Sequence, residues 1–285
     1  MKKITPGIKA VLIIAVSALV MFLALEVLVK SPSGSSTGTL KQTTLTKRAK
    51  TKSKIHYVAI GDSLTFGLGD ASESGGYVPL VKSQLADNDD LTIQSDNFGK
   101  SGDTSTQVYQ RIVKSKEIQQ GLAQADLITM TVGANDLMHI IKKDVMNMDL
   151  EKVKTGQKVY QKNLDRLIKE IRKYNAKAPL VVASIYNPFY VYFPQITAMK
   201  TSMGLWNETT QTVLHDYQQT YYVDIDTVMT QPSGSILAGN KTGKDAYNPY
   251  LYTEDHFHPN NRGYQAIAGR FVKKIQSIKA NWLYR

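Results

Sequence analysis

Five histidines occur in 285 residues, and two of them, His256 and His258, lie in TEDHFHPNNRGY (253–264) behind Asp255. A histidine that takes a proton from a hydroxyl needs a carboxylate on its other ring nitrogen to fix the tautomer. Asp255 and His256 are neighbours, so in an extended chain their side chains point to opposite faces. A turn from Asp255 to His258 instead folds the carboxylate back onto the ring, with Pro259 stiffening the chain behind it. His258 is therefore the expected base, Asp255 its orienter, and His256 a residue of the rim. A metal site would need a third ligand, and His56, His139 and His215 stand at no motif spacing from the pair, so no metal and no cofactor is expected.

The base needs a nucleophile, and the nucleophile needs donors for the oxyanion it creates. Gly61-Asp62-Ser63 follows the apolar run IHYVAIG (55–61), and a serine at a sharp strand exit has its hydroxyl held away from the packed body. Alone, the tripeptide reads equally as turn and N-cap residues. NFGKSGDT (97–104) is a glycine-rich corner where Gly102 would let a backbone N–H approach a substrate oxygen, or simply satisfy a turn. Gly133-Ala134-Asn135-Asp136 offers the Asn135 amide as a further donor, or a helix cap. Together they are the parts list of acyl transfer.

These segments stand at the ends of apolar runs at 55–61, 91–98, 126–133, 180–186 and 221–228. Helical spacing of apolar residues fills 77–86, 106–115, 159–174, 208–221 and 261–278. Five alternations of strand and helix imply an α/β domain of three layers, a five-stranded, mostly parallel sheet flanked by helices on both faces. Ligands in such a sheet bind at the carboxyl ends of the strands, where the chemistry-bearing residues fall.

In this order the segments resemble the SGNH, or GDSL-type, esterase and lipase superfamily, and within it the membrane-tethered acylhydrolases of Gram-positive bacteria. GDSLTFG (61–67), NFGKSGDTS (97–105), GAND (133–136) and DHFHP (255–259) resemble its four blocks, over 55 to about 275. The resemblance implies a flavodoxin-like SGNH fold. It also implies Ser63 as nucleophile, Ser63, Gly102 and Asn135 as oxyanion donors, and Asp255 with His258 as the relay. The implied activity is serine hydrolysis of lipid, lysophospholipid or short-chain esters, with O-acetyl groups on wall polysaccharide as the alternative substrate and a non-catalytic wall-binding protein as a third reading.

YNPFYVYFPQ (186–195) follows the fourth apolar run. Its Tyr186, Phe189, Tyr190, Tyr192 and Phe193, with Asp62, are the candidate substrate-binding residues. They would line an acyl groove, stack on sugar rings, or pack on the sheet edge.

The amino-terminal part reads differently. Lys2, Lys3 and Lys9 precede the apolar stretch 10–29, interrupted at Glu26. This gives a short cytoplasmic tail (1–7), a transmembrane signal anchor (8–29), a basic Ser/Thr-rich stalk (30–54) and the hydrolase domain (55–285), with that domain outside the cell. Cleavage and secretion are the alternative. The chain is at +11, but ten of its 35 basic residues and one of its 24 acids lie in 1–54, which leaves +2 for the remainder. The folded part therefore lacks the charge for nucleic acid, while the stalk could contact anionic lipid or wall polymer. There is no cysteine, hence no disulfide.

Overall fold

The computed structural model describes residues 51–141, 148–193, 195–230 and 247–284, all within the unit Ala49–Arg285. β1 (Lys54–Gly61) lies at the heart of its sheet, with Ile55, Tyr57 and Ala59 on one face and Val58 and Ile60 on the other. Both sets are buried in apolar clusters, so the strand reads as a nearly continuous hydrophobic run. β3 (Leu127–Thr131) and β4 (Leu180–Ala183) are likewise buried at every position. With β2 (Thr92–Gly99) and β5 (Thr220–Val223) they form a wholly parallel sheet in the order β2-β1-β3-β4-β5. The chain leaves β1 toward one edge, then returns past it to β3, so the crevice between β1 and β3 is where the winding reverses.

Helices cover both faces. On one lie α2 (Tyr77–Asp89) and α9 (Asn261–Ser277), where Tyr77 and Phe271 stack with ring centroids 4.6 Å apart. On the other lie α3 (Ser105–Lys114), α4 (Lys116–Gln124), α5 (Ala134–Ile141), α6 (Leu150–Tyr174) and α7 (Thr197–His215). The single turn α1 (Ser63–Phe66) follows β1, and α8 (Asp226–Thr230) follows β5. The expected three-layer α/β/α architecture of an SGNH-type hydrolase is what the chain adopts.

Some boundaries differ. α7 begins at Thr197, not at 208, and ends at His215, before β5. Its buried side is Met199, Ser202, Met203, Trp206, Asn207 and Thr210, a face whose polar members hide the helical period. Buried Asn207 uses its amide to bind both the N–H and the carbonyl of Ile185. α4 and α5 are short helices that the apolar spacing does not announce. Residues 51–54, expected as the end of a stalk, belong to the fold. Thr51 pairs with Tyr284, Lys52 N donates to the Leu283 carbonyl at 2.8 Å, and β1 starts at Lys54.

The membrane anchor requires correction. Among the described residues no helix is long and apolar enough to cross a membrane. The 25-residue α6 carries Glu151, Arg166 and several lysines along its exposed side. The tail, the expected span over 8–29 and the stalk up to residue 50 lie outside the described residues. The transmembrane, single-pass reading and the membrane as partner are withdrawn accordingly.

Candidate active site

At the carboxyl end of β1, Asp62 caps α1. Its carboxylate accepts from Leu64 N at 3.1 Å and from the Thr131 hydroxyl at 2.7 Å. Burial pushes this carboxyl up, and the Thr131 and Leu64 bonds only partly oppose that. At 2% exposure Asp62 faces the body of the protein, so it shapes the turn and does not line the substrate space expected of it. Ser63 then opens the helical turn, where the first N–H groups have no intrahelical partner.

The Ser63 Oγ lies 2.9 Å from His258 Nε2, across 195 residues of sequence. His258 Nδ1 lies 2.6 Å from Asp255 Oδ2, and Asp255 Oδ1 accepts from the N–H groups of Phe257 (2.9 Å) and His258 (3.0 Å). Partial burial raises the Asp255 carboxyl, but the His258 ring and the two backbone donors outweigh it and hold the group below its ordinary value. An ionised Asp255 keeps the proton on Nδ1, which leaves the Nε2 lone pair facing Ser63. The turn that achieves this contains His256 at φ +52, a left-handed conformation uncommon outside glycine. His256 N donates to Tyr252 O, and Tyr252 N donates to His258 O at 2.7 Å.

The oxyanion donors expected from the sequence follow β2 and β3. Gly102 has φ +83, and a Cβ built there would meet nothing within 4 Å, so the corner is backbone facing open space. The Asn135 Nδ2 donates to the Asp103 carbonyl at 2.9 Å, which leaves its second hydrogen for another acceptor. Asp136 binds both the N–H (2.8 Å) and the hydroxyl (2.5 Å) of Ser105 and so ties α5 to the start of α3. Thr104 caps α3 in a reciprocal arrangement with Gln107.

A serine, histidine and aspartate in hydrogen-bonded sequence is the arrangement by which a hydroxyl is made nucleophilic toward a carbonyl. Residues 59–266 match the model of the GDSL-like Lipase/Acylhydrolase family. The chain belongs to this family. It is accordingly a serine-type esterase or lipase that acts on ester substrates. It is 31% identical over 232 residues to the uncharacterized protein YpmR of Bacillus subtilis, covering 81% of this chain and 86% of that one. The GDSL-like fold is shared with the lipase Lip_vut3 from a goat rumen metagenome (TM-score 0.64, 23% identity, 77% of this chain and 97% of that one). It is also shared with a Clostridium thermocellum family 3 carbohydrate esterase (TM-score 0.51, 20% identity, 80% and 99%).

The aromatic segment of this GDSL-like hydrolase does not form one open wall. Tyr186 is 7% exposed and donates its hydroxyl to the Phe257 carbonyl at 2.6 Å. Phe189 lies against Phe257 at 6.1 Å, and the Phe257 ring meets His258 edge-on at 5.0 Å. Tyr192 sits edge-on to His256 at 5.6 Å. Tyr190 instead lines a small cavity of about 120 Å³ with Asn187, Lys200 and Asp226, while Phe193 is exposed. Tyr186, Phe189 and Tyr192 thus brace the histidine loop.

Sequence reasoning missed Arg111. Its guanidinium binds Asp103 at 2.5 Å, the Phe98 carbonyl at 2.9 Å and the Gly61 carbonyl at 2.9 Å, which joins the ends of β1 and β2 behind the corner. In the last turn of α3 it reads only as a helix-dipole partner, so the sequence carries no distinct signal for it.

Proposed function

We propose that Ser63 attacks the carbonyl of a short O-acyl ester, acetate foremost, carried on a polysaccharide. The observation that carries the chemistry is the unbroken relay Ser63–His258–Asp255. In this reading the Ser63 proton passes to His258 Nε2 as the Oγ–carbon bond forms. The tetrahedral oxyanion is held by the N–H groups of Ser63 and Gly102 and by the free hydrogen of Asn135. His258 then protonates the sugar oxygen as its bond to the acyl carbon breaks; in the second half it takes a proton from water, which attacks the acyl carbon, and returns that proton to Ser63 Oγ as the acid leaves. Asp255 orients the ring throughout.

The acyl and alcohol preferences rest on what the aromatic residues are doing. Tyr186, Phe189 and Tyr192 are engaged with Phe257 and His256, which favours a small acyl group over a long chain laid along them. The name of the carbohydrate esterase that shares the fold agrees with that choice, whereas Lip_vut3 is named a lipase. A 4-nitrophenyl ester series from acetate to decanoate, assayed with the purified full chain, tests the preference. The expected kcat/KM falls at least about tenfold along the series, as pocket contacts of a few methylenes allow; a rise with chain length would return the substrate to lipid esters. Ser63→Ala and His258→Ala are expected to abolish turnover, and activity surviving either overturns the relay.

A further inference from the structure

The segment that follows Ser63 lines a groove of about 720 Å³, formed by residues 66–71 and 73–75 and by Tyr252. Both walls are bonded directly to the reacting pair. Gly67 N and Leu68 N donate to the Ser63 carbonyl at 2.9 and 3.1 Å, and Tyr252 N donates to the His258 carbonyl at 2.7 Å. The groove lining is thus tied through the backbone to both reacting residues.

Its composition is mixed. Phe66 is 53% exposed on the last position of α1, an unusual cost for a large apolar ring with the core one turn away. Glu73 and Ser74 are exposed on the same stretch, and among the described residues no ion pair engages Glu73. An aromatic face beside a carboxylate and a hydroxyl complements a ring with C–H groups on its face and hydroxyls at its edge.

The wall is also built to hold its shape. The buried Asp70 carboxylate accepts from Ser72 N, Ser72 Oγ, Ser74 N and Gly76 N at 2.5 to 3.1 Å. Asn261 takes the Ala71 N–H, and the Tyr264 hydroxyl donates to the Leu68 carbonyl at 2.7 Å. Glu73 itself is kept at φ +49, a conformation that disfavours side-chain-bearing residues. A preorganised wall spends little binding energy on ordering.

We infer that this groove is the subsite for the alcohol half of the substrate and that its occupant is an oligosaccharide, with a pyranose ring on Phe66 and its hydroxyls on Glu73 and Ser74. The inference rests on the proposed hydrolysis of glycan esters. Two measurements on the full chain test it, using a β-1,4-linked N-acetylglucosamine tetrasaccharide as the probe. In the first, Phe66→Ala is expected to raise KM for the O-acetylated tetrasaccharide about tenfold. Its kcat/KM relative to that for 4-nitrophenyl acetate should fall by the same factor, about 1.4 kcal/mol, and Glu73→Gln should lower that ratio about threefold. In the second, calorimetry on Ser63→Ala should show the unacetylated tetrasaccharide binding, and adding Phe66→Ala should weaken it about tenfold. Equal losses on both esters, or binding indifferent to Phe66, would overturn the groove. If the enzyme releases no acetate from the glycan, the substrate reading fails by itself, and the calorimetry still decides the groove: Phe66-dependent binding upholds it and no binding overturns it.

Discussion

The Tyr186 hydroxyl donates to the Phe257 carbonyl at 2.6 Å, and so links the end of β4 to the residue that precedes His258. The bond spans 71 residues and fixes the loop that carries Asp255 and His258. Burial pushes the Tyr186 hydroxyl well above its ordinary range, so it remains a donor at every pH the enzyme meets. Tyr186→Phe deletes the donor and leaves the ring. The expected cost is about 1 kcal/mol in stability, with kcat on an acetyl ester falling several-fold because His258 is less well held. A kcat equal to wild type in a variant of lowered Tm would show that the loop is held by its own turn alone.

That turn depends on His256. Its left-handed backbone brings the Asp255 carboxylate round to the His258 ring, whereas its side chain only meets the edge of Tyr192 and a long 3.3 Å contact with the Tyr192 hydroxyl. His256→Gly should keep activity within about twofold and hold or raise Tm, because glycine takes this conformation without strain. His256→Val should lower stability by about 1–2 kcal/mol. Unfolding midpoints and acetyl-ester turnover for the pair check this; a loss of activity in the glycine variant would mean that the imidazole itself participates.

Much of this site is legible in the sequence because its residues sit in short local motifs. Asp255 and His258 are three apart, and a turn is the local way to bring them together. Ser63, Gly102 and Asn135 follow apolar runs whose alternation fixes the sheet. What stays hidden is set by tertiary contact. Arg111 lies in an ordinary helix, and only the folded chain shows it reaching the Gly61 and Phe98 carbonyls. The aromatics of 186–193 are conspicuous in the sequence, but whether such rings face a substrate or a neighbouring loop depends on the partner Phe257, 71 residues beyond Tyr186. α7 is masked because buried Ser202, Asn207 and Thr210 pair with backbone and side-chain groups and so break an apolar stripe without leaving the core.

Asp255 makes stability depend on pH with a definite sign. Its carboxyl is held below the ordinary carboxylate value in the folded chain, so the unfolded chain binds the proton more tightly. The contribution is fully present above the unfolded value of about 3.9 and is lost as pH falls through the lowered folded value. Asp255→Asn removes it. The Tm difference between wild type and Asp255→Asn should therefore hold above about pH 5 and shrink as the pH falls below about 4, the window set by that carboxylate value. Turnover at neutral pH should fall by about 100-fold or more, since the amide no longer selects the Nδ1–H tautomer. A Tm difference that stays constant over this range would show that Asp255 is not held as an anion in the folded chain.

Arg111 and Asp103 form an ion pair behind the proposed oxyanion corner. The Asp103 side chain is 5% exposed, and its backbone carbonyl receives the Asn135 amide, so displacing it would move two of the proposed donors together. Arg111→Met leaves a buried carboxylate without its partner and frees the Gly61 and Phe98 carbonyls, at an expected cost of about 3–5 kcal/mol. Arg111→Lys should recover only part of this, because one ammonium cannot reach all three acceptors with the geometry of a planar fork. Adding Asp103→Asn to Arg111→Met removes the stranded charge and should restore stability more than turnover, since the guanidinium that joins the Gly61 and Phe98 carbonyls stays absent and the Gly61 carbonyl keeps only the Lys100 N–H. Denaturant midpoints with kcat for the four proteins separate the two effects. If the double variant regains wild-type kcat, the pair serves folding alone and the corner is held by Asp136 with Ser105.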